Sequence, residues 1–492
     1  EECKVVITCS GLGSRLGEYT EYTNKSLVRV GKKAVISHII DSYPAGTSFV
    51  ITLGHYGDHV KQYINIAHPE LKVEFVNVEN YHGKGSSLGK SLFSVRGVIG
   101  SSFIFNACDT ITDGIIPSSS ENNKVWAVAS KNNSSAYRTI QCTGLSVGYI
   151  LEKGESVSDT PVYIGKCFIK DASSFWKNLE EILFKSDSSD ISDCHVINRM
   201  LKYDNKKFEI QYAPYWHDIG NLNDLKSTRS VMGDNINVLD KYNESIFFIK
   251  NYVIKFFHDE LVLENRFKRS KILKECTPTL ANYSKNFMKY EHVAGDILCN
   301  YKNLDDKLLY RLLKYANDSM WKKSKNVPDL QKINDLCKKF YVEKTKKRVN
   351  LFTSARNVSD GTSTINGIKV KSVDHLLEDA CKFGLLSGVM GNFHGDFILE
   401  NIIFDNKDFM FIDWRQDFAG EIVLGDIYYD LAKLNHNINF NHGIIRNGGF
   451  SFEIQGSDTV FVDLMCSHKL LSAKRGLVNF CKDHGLSMSK IE

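Results

Sequence analysis

The chain has 492 residues, 42% of them apolar and 24% charged, with a formal net charge of +4. At roughly 150 residues per domain, about three structural units are expected. The near-balance of charge gives neither nucleic acid nor a membrane surface an electrostatic reason to bind. No apolar run approaches the ~18 residues a membrane helix needs. The twelve cysteines contain no CxxC pair, and several lie in apolar runs where a thiol behaves as a small hydrophobe. A reducing compartment is therefore expected, and with no signal peptide at the start of this sequence the expectation is a cytoplasmic protein.

The first hundred residues alternate strand and helix patterns. Lys4–Cys9 reads as a buried strand closed by a glycine turn. Helix is predicted over Ala34–Tyr43, strand over Ser48–Leu53, helix over His55–Ile66 and strand over Val73–Val78. A helix over Ser86–Val95 and a strand over Ser102–Asn106 follow. Such alternation predicts a mostly parallel sheet with helices on both faces, binding ligands beyond the carboxyl ends of its strands. Residues 227–240 carry no strong period and join two differently organised halves. Ser245–Phe257 then reads as a β-hairpin, and beyond Pro278 helix-forming sequence dominates. The Lys-rich stretch Met320–Arg348 reads as a solvated helical face.

Two constellations carry chemistry. In the first, Gly11-Leu12-Gly13-Ser14-Arg15-Leu16 directly follows a strand, and Asn24-Lys25-Ser26-Leu27 comes after it. Glycines there let backbone N–H groups approach phosphate oxygens, while Arg15 and Lys25 supply fixed positive charge. Phe103–Cys108 is a strand pattern that ends in Asp109, and a second carboxylate, Asp218, sits in Tyr215-Trp216-His217-Asp218-Ile219-Gly220. These segments resemble the nucleoside-diphosphate-sugar pyrophosphorylases, with Ser14 and Asn24 where that family has Thr and Pro. The GLGSR…KSL variant also resembles the phosphocholine cytidylyltransferases of the same fold. The resemblance implies that Gly11, Gly13 and Ser14 cradle the nucleoside triphosphate and that Arg15 and Lys25 serve catalysis. It further implies that Asp109 and Asp218 hold Mg²⁺ or Mn²⁺. In Glu152-Lys153, Lys153 would contact the sugar phosphate. Gly165 would line the sugar pocket. The loop that carries Gly83 and Gly85 would read the base, its glycines permitting close backbone contact.

In the second, His394-Gly395-Asp396 stands five residues before Asn401, and Ile412-Asp413-Trp414 follows. An Asp that accepts a hydroxyl proton, with an Asn and a second Asp for Mg²⁺, is what phosphoryl transfer from ATP requires. This pattern and Gly425-Asp426…Asp430-Leu431-Ala432 resemble the aminoglycoside phosphotransferase and choline kinase group. The resemblance implies catalysis by Asp396, metal ligation by Asn401 and Asp413, and a loop-bracing role for His394. Lys255 would grip phosphates with Glu264 as its partner, and Glu291 would lie in the adenine hinge. No glycine falls between Gly233 and Gly295, so the usual glycine-rich lid is missing as a motif.

The implied architecture is α/β, with a Rossmann-like, GT-A-type nucleotidyltransferase sheet over 1–232. A two-lobed, protein-kinase-like phosphotransferase would occupy 240–492, its small lobe about 240–295 and its helical lobe about 296–492. The implied activity is phosphorylation of a small hydroxylated compound, a sugar by preference, with ATP. Nucleotidyl transfer from CTP, UTP or GTP would then give an activated sugar for a surface polysaccharide. A choline, ethanolamine or polyol substrate giving a CDP-alcohol is the nearest alternative. A half kept only as a nucleotide sensor is another. A homo-oligomer is compatible with all of these.

Overall fold

The computed structural model describes residues 3–129, 134–155, 159–185, 190–233, 241–321 and 328–492. Parts of the expected joining segment (234–240) and of the Lys-rich stretch (322–327) lie outside them. The chain divides into two compact units, Glu1–Glu260 with Asn282–Lys289, and Leu261–Ala281 with Tyr290–Glu492.

The first unit is built on β1 (Lys4–Cys9), α1 (Val35–Ser42), β2 (Ser48–Leu53), α2 (Gly57–Ala67), β3 (Lys72–Asn77), α3 (Leu88–Phe93) and β4 (Phe103–Ala107). It continues with β5 (Thr110–Ile111), β6 (Asn123–Val128), β7 (Thr139–Thr143), β8 (Ser146–Leu151) and β9 (Val162–Ile169). Helices α4 (Ala172–Lys185) and α5 (Asp193–Tyr203), strands β10 (Phe208–Tyr212) and β11 (His217–Asp218), and α6 (Leu222–Met232) complete that run. Nine strands form one sheet in the order β3-β2-β1-β4-β9-β6-β10-β8-β7. Strands β1 to β4 pair in parallel, and β9 runs antiparallel between β4 and β6. Val5, Val6 and Ile7 are fully buried, as a central strand covered on both faces requires. The carboxyl ends of β1 and β4 therefore lie side by side, Thr8 opposite Ala107.

The hairpin of β12 (Glu244–Ile249) and β13 (Tyr252–Phe257) also belongs to the first unit. It packs against α2: the Tyr63 ring meets Phe247 at 5.0 Å, and His59 meets Phe256 at 5.0 Å. Gln62 accepts from the backbone N–H of Asn286 at 2.9 Å, and Lys289 Nζ donates to the Ile66 carbonyl at 3.1 Å. The strands that the resemblance to the phosphotransferases places in a small lobe after residue 240 share the hydrophobic core of the first sheet.

The second unit is mainly helical. Helix α7 (Glu260–Ile272), which starts at the first unit's last residue before the division, leads to α8 (Asp306–Ser319). Then come α9 (Leu330–Cys337) and α10 (Lys344–Arg356), joined by a π-helical turn over Lys338–Glu343. Helices α11 (Ile427–Asn439) and α12 (His468–Asp483) follow. Helix α12 lies on α8 so closely that a Cβ at Gly476 would collide with the Asp306 carbonyl oxygen. A four-stranded sheet from residues 363–370 and 450–464 interrupts the helical pattern expected here. Among the described residues, no helix is long and apolar enough to cross a membrane.

Candidate active sites

At the carboxyl end of β1 the backbone turns at Gly13 (φ +66°) into a short 3₁₀ helix, Ser14–Thr20, in place of a full helix. A side chain at Gly13 would collide with Lys25, whose Cβ would lie 2.9 Å away, so the glycine is what lets the two segments touch. Asn24 fixes Lys25 from the other side. Its Nδ2 donates to the carbonyls of Cys9 (2.7 Å) and His55 (2.6 Å), and its Oδ1 accepts from Ser26 N (2.9 Å). An amide at this position does with hydrogen bonds what a proline would do by stiffness. Gly11, Ser14 and Arg15 are exposed, and Gly11 has open space around it.

Lys25 Nζ meets Asp109 Oδ2 at 2.7 Å. Burial works to raise the Asp109 pKa, but the Lys25 and Arg15 charges outweigh it and hold the carboxylate below its usual range. Asp218 lies on β11, paired with Thr110, and the next residue, Ile219, donates its N–H to the Asp109 carbonyl at 3.1 Å. Burial first, then the charges of Asp109 and Asp224, push Asp218 up to about 6. Tyr137 donates its hydroxyl to that carboxylate. Lys153 is held below its usual value by partial burial and by the Arg15 and Arg138 charges, and it also feels Asp218 and Asp109. Glu152, beside it, is paired with Arg138 at 3.0 Å and His195 at 3.2 Å. Gly165 (φ +80°) forms a bulge in β9, and a Cβ there would stand 3.2 Å from Ala107 Cβ.

The loop expected to read the base flanks the end of β1. A Cβ at Gly54 would stand 2.8 Å from both Ser10 Cβ and Tyr81 Cγ, so Tyr81 at the head of the loop lies against that strand end. Gly83 (φ +77°) is exposed with open space around it, and its carbonyl accepts from Ser86 N at 3.2 Å. Gly85 (φ +84°) is half-buried, and a Cβ there would meet the movable end of a side chain, Lys90 Nζ, at 3.2 Å. At Gly85 the backbone itself also calls for glycine. Its left-handed φ is what excludes a side chain.

The structure brings Arg15, Lys25, Asp109, Lys153, Gly165 and Asp218 to one end of the sheet, while Gly83 and Gly85 belong to the loop alongside. Sequence reasoning misses Tyr137, Asp224 and Arg138; none stands in a recognisable motif. A divalent metal fits the donor set. Asp109 and Asp218 are hard oxygen donors whose mutual repulsion already raises one pKa, and a cation would relieve it. Two carboxylates leave the remaining positions of a hard cation to substrate phosphates and water.

In the second unit, the backbone N–H groups of His394 and Gly395 both donate to the Asp430 carboxylate, at 2.7 Å each, and Trp321 Nε1 donates to it at 2.9 Å. The buried Arg269 guanidinium donates to the carbonyls of Phe393, Arg415 and Ile422. His394 is fully buried; burial and the Arg269 charge lower its pKa to about 4, so it is neutral. With Nε2–H donating to the Ile412 carbonyl (2.9 Å), its Nδ1 accepts from Asp396 N (3.2 Å). Asp396 meets Lys433 Nζ at 2.8 Å, and Asn401 Nδ2 donates to its carboxylate at 3.1 Å. Burial pushes this carboxyl up, but the Lys433 charge and these hydrogen bonds bring it below the usual range. Asp413 occupies the left-handed region (φ +63°), 3.6 Å from Arg266 Nη1. Gly395 (φ +85°) is obligatory, because a Cβ would stand 2.5 Å from Arg415 Cβ.

Asp396, Asn401 and Asp413 thus share one loop system. Asn401 and Asp413 are oxygen donors, compatible with a hard cation. Lys255 is buried on β13. Glu264 is paired with Lys268 on its own helix at 2.7 Å, and the Glu291 N–H donates to the Thr279 carbonyl at 3.1 Å. Sequence reasoning does not single out Lys433, Asp430 and Arg269 as supports of the loop. Lys433 is within its reach, since it stands nearly one helical turn after Asp430.

No protein-family model matches the chain. Over 232 residues, 46% of the chain, it is 22% identical to the bifunctional protein GlmU of Methanococcus maripaludis, covering 53% of that protein. Over 116 residues, 23% of the chain, it is 29% identical to a Bacillus subtilis protein described as a probable glucose-1-phosphate cytidylyltransferase, covering 42% of it. The chain therefore spans about half the length, or less, of the curated relatives it matches. The solved CTP:phosphocholine cytidylyltransferase of Streptococcus pneumoniae aligns with 47% of this chain and 100% of its own, at 16% identity and a TM-score of 0.41. These similarities are of the nucleotidyltransferase kind, and they fall on the N-terminal half.

Proposed function

We propose that the chain is a bifunctional enzyme. Residues 240–492 would phosphorylate a small hydroxylated compound with ATP, and residues 1–232 would join the product phosphate to a nucleotidyl group, releasing pyrophosphate. The observation that carries the reading is the Lys25–Asp109 pair at 2.7 Å beyond the carboxyl end of a parallel strand, with Asp218 close enough to feel the Asp109 charge. An acceptor phosphate and a nucleoside triphosphate repel each other, so catalysis there is a matter of charge and alignment. Arg15, Lys25 and Lys153 supply positive charge, and the backbone from Gly11 to Gly13 admits phosphate oxygens. The loop of Gly83 and Gly85 would face the base. Asp109 and Asp218 would hold Mg²⁺, which when bound supplies further charge neutralisation. The acceptor oxygen bonds to the α-phosphorus as the bond to pyrophosphate breaks.

In the second site Asp396 would accept the acceptor's hydroxyl proton as its oxygen bonds to the γ-phosphorus and ADP leaves. Neutral His394 holds the loop and moves no proton. Asn401 and Asp413 would hold the metal. A sugar acceptor and a role in surface-polysaccharide supply are the finer parts of the proposal. Incubating the protein with ATP, each of CTP, UTP and GTP, and a panel of sugars and alcohols, with products read by ³¹P NMR, tests it. A new pyrophosphate diester formed only when ATP and one of these NTPs are both present is the expected result. No such diester from any member of the panel would refute it.

A further inference from the structure

Beside the Asp396 loop lies a cavity of about 360 Å³, lined in part by Lys339, Phe340, Lys344, Lys347, Arg415 and Asp417. That volume falls in the range of small-molecule sites. Its floor is aromatic: Phe340 stacks on Phe418 with ring centroids 4.1 Å apart and meets the edge of Tyr429 at 4.8 Å. Its wall is cationic. Lys344 Nζ stands 4.0 Å above the Phe340 ring and the Arg415 guanidinium 5.1 Å from it. Four cationic side chains line the cavity against two carboxylates, Glu343 and Asp417.

The cavity is tied to the catalytic loop through both backbone and charge. Arg415 N–H donates to the His394 carbonyl at 2.8 Å, and Gly395 lacks a side chain where Arg415 passes. Tyr429, against the Phe340 ring, feels the charges of Lys433, Arg415 and Asp396 together. Lys344 is held down to about 8 by burial and by Arg415, Arg348 and Lys433, and Asp417 offsets this only in part. The π-helical turn at Lys338–Glu343 aims Phe340 and the lysines from α10 at one spot, the kind of helix defect often found at functional sites.

We propose that this cavity is the acceptor subsite of the phosphotransferase and that its acceptor is an anion: a hydroxylated compound already carrying a carboxylate or phosphate. The proposal rests on the kinase reading above. A cationic acceptor such as choline or ethanolamine would meet like charge from Lys344, Lys347 and Arg415. An acceptor anion placed between Arg415 and Lys344 would lie beside the loop that carries Asp396, which Arg415 joins through its N–H to the His394 carbonyl. There the hydroxyl oxygen bonds to the γ-phosphorus of ATP as the bond to ADP breaks, and its proton passes to Asp396.

Titration calorimetry on the full chain tests this with glucose 6-phosphate and glucuronate as anionic probes, against glucose and choline. All four are measured with and without a saturating non-hydrolysable ATP analogue and Mg²⁺. At least one anion is expected to bind about tenfold or more tightly than glucose, with no choline binding, and to do so with the nucleotide site filled. Arg415→Met should weaken that binding by about tenfold, the loss of one charge-assisted contact. The exposed Lys347→Met should weaken it several-fold without affecting folding. Choline or glucose binding as tightly as the anions, anion binding indifferent to Arg415 and Lys347, or anion binding lost on filling the nucleotide site would each overturn the proposal. ADP release separates the two claims. Anion binding that follows Arg415, with no ADP released from ATP by any acceptor, would sink the kinase reading and leave the anion site standing.

Discussion

Each half of the molecule sets an acidic side chain against a lysine, Asp109 on Lys25 at 2.7 Å and Asp396 on Lys433 at 2.8 Å, but the supports differ. Around Lys25 the work is shared between backbone shape and one buried amide, Asn24. Gly13 and Gly165 allow close approach, and Gly11, Ser14 and Arg15 lie exposed at the rim. Around Asp396 a buried polar frame of Asp430, Arg269 and His394 clamps the loop from beneath. A site of the first kind should tolerate loss of a peripheral side chain and respond in substrate binding. The second should lose its chemistry and its fold together when the frame is cut.

The sharpest test of independence is Asp396→Asn. It should reduce ATP-dependent phosphorylation by about a thousandfold or more, as loss of a proton acceptor and its charge does. Nucleotidyl transfer to a pre-phosphorylated acceptor, followed by pyrophosphate release, should be unchanged. Loss of both activities in a folded protein would mean that the two sites are one machine.

Cutting the frame comes next. Asp430→Ala strands the N–H groups of His394 and Gly395 and the indole N–H of Trp321, and should cost about 3 kcal/mol in denaturant unfolding. Phosphotransfer should fall with it, and a variant with wild-type stability would show that the clamp is dispensable.

Lys153→Ala probes the looser site. It should raise the KM for the phosphorylated acceptor roughly ten- to a hundredfold, about 1.5–3 kcal/mol, while leaving the KM for NTP almost untouched. Equal loss toward both substrates would remove Lys153 from the acceptor side.

The smallest effect concerns pH. His394 has its folded-state pKa lowered to about 4 from an ordinary 6.5, so the unfolded chain binds more protons between those values. Its contribution to stability is present above pH 6.5 and is lost as pH falls toward 4. His394→Asn, whose amide can still donate to Ile412, should flatten the acid side of the stability curve in that window. A curve unchanged in slope would assign the acid sensitivity to other groups.

Much of the first site is legible in the sequence because its parts are local. Strand β1, the glycine turn and Asp109 at a strand end are set by neighbours a few residues away, and periodicity reports such neighbours. The segment His394–Asp413 is legible for the same reason. The rest depends on partners distant in the chain. Nothing near Tyr63 announces Phe247, and nothing near Asp413 announces Arg266. The Lys-rich stretch reads as a solvated face because charge alone cannot reveal a π-helical turn. That turn is what gathers Lys339, Lys344 and Lys347 around Phe340. Gly85 shows the converse limit: a sequence displays the glycine but not whether a ligand or a left-handed turn demands it. The pairing of Glu264 with Lys268, four residues on along the same helix, is by contrast a local feature that spacing can report.

The hairpin packed on α2 bears on how the gene could be cut. A break in the segment after α6 looks like a natural seam, but it would strip α2 of Phe247, Phe256 and Phe287 and leave Tyr63 facing water. Each such ring is worth about 1.5–3 kcal/mol of burial. A fragment ended at residue 232 would thus carry a sticky apolar stripe and tend to aggregate. One ended at 260 would still lack Asn282–Lys289, which the chain supplies only after it has passed through α7. Inheritance of the first half as a free-standing module would have required α2 to be repainted with polar residues.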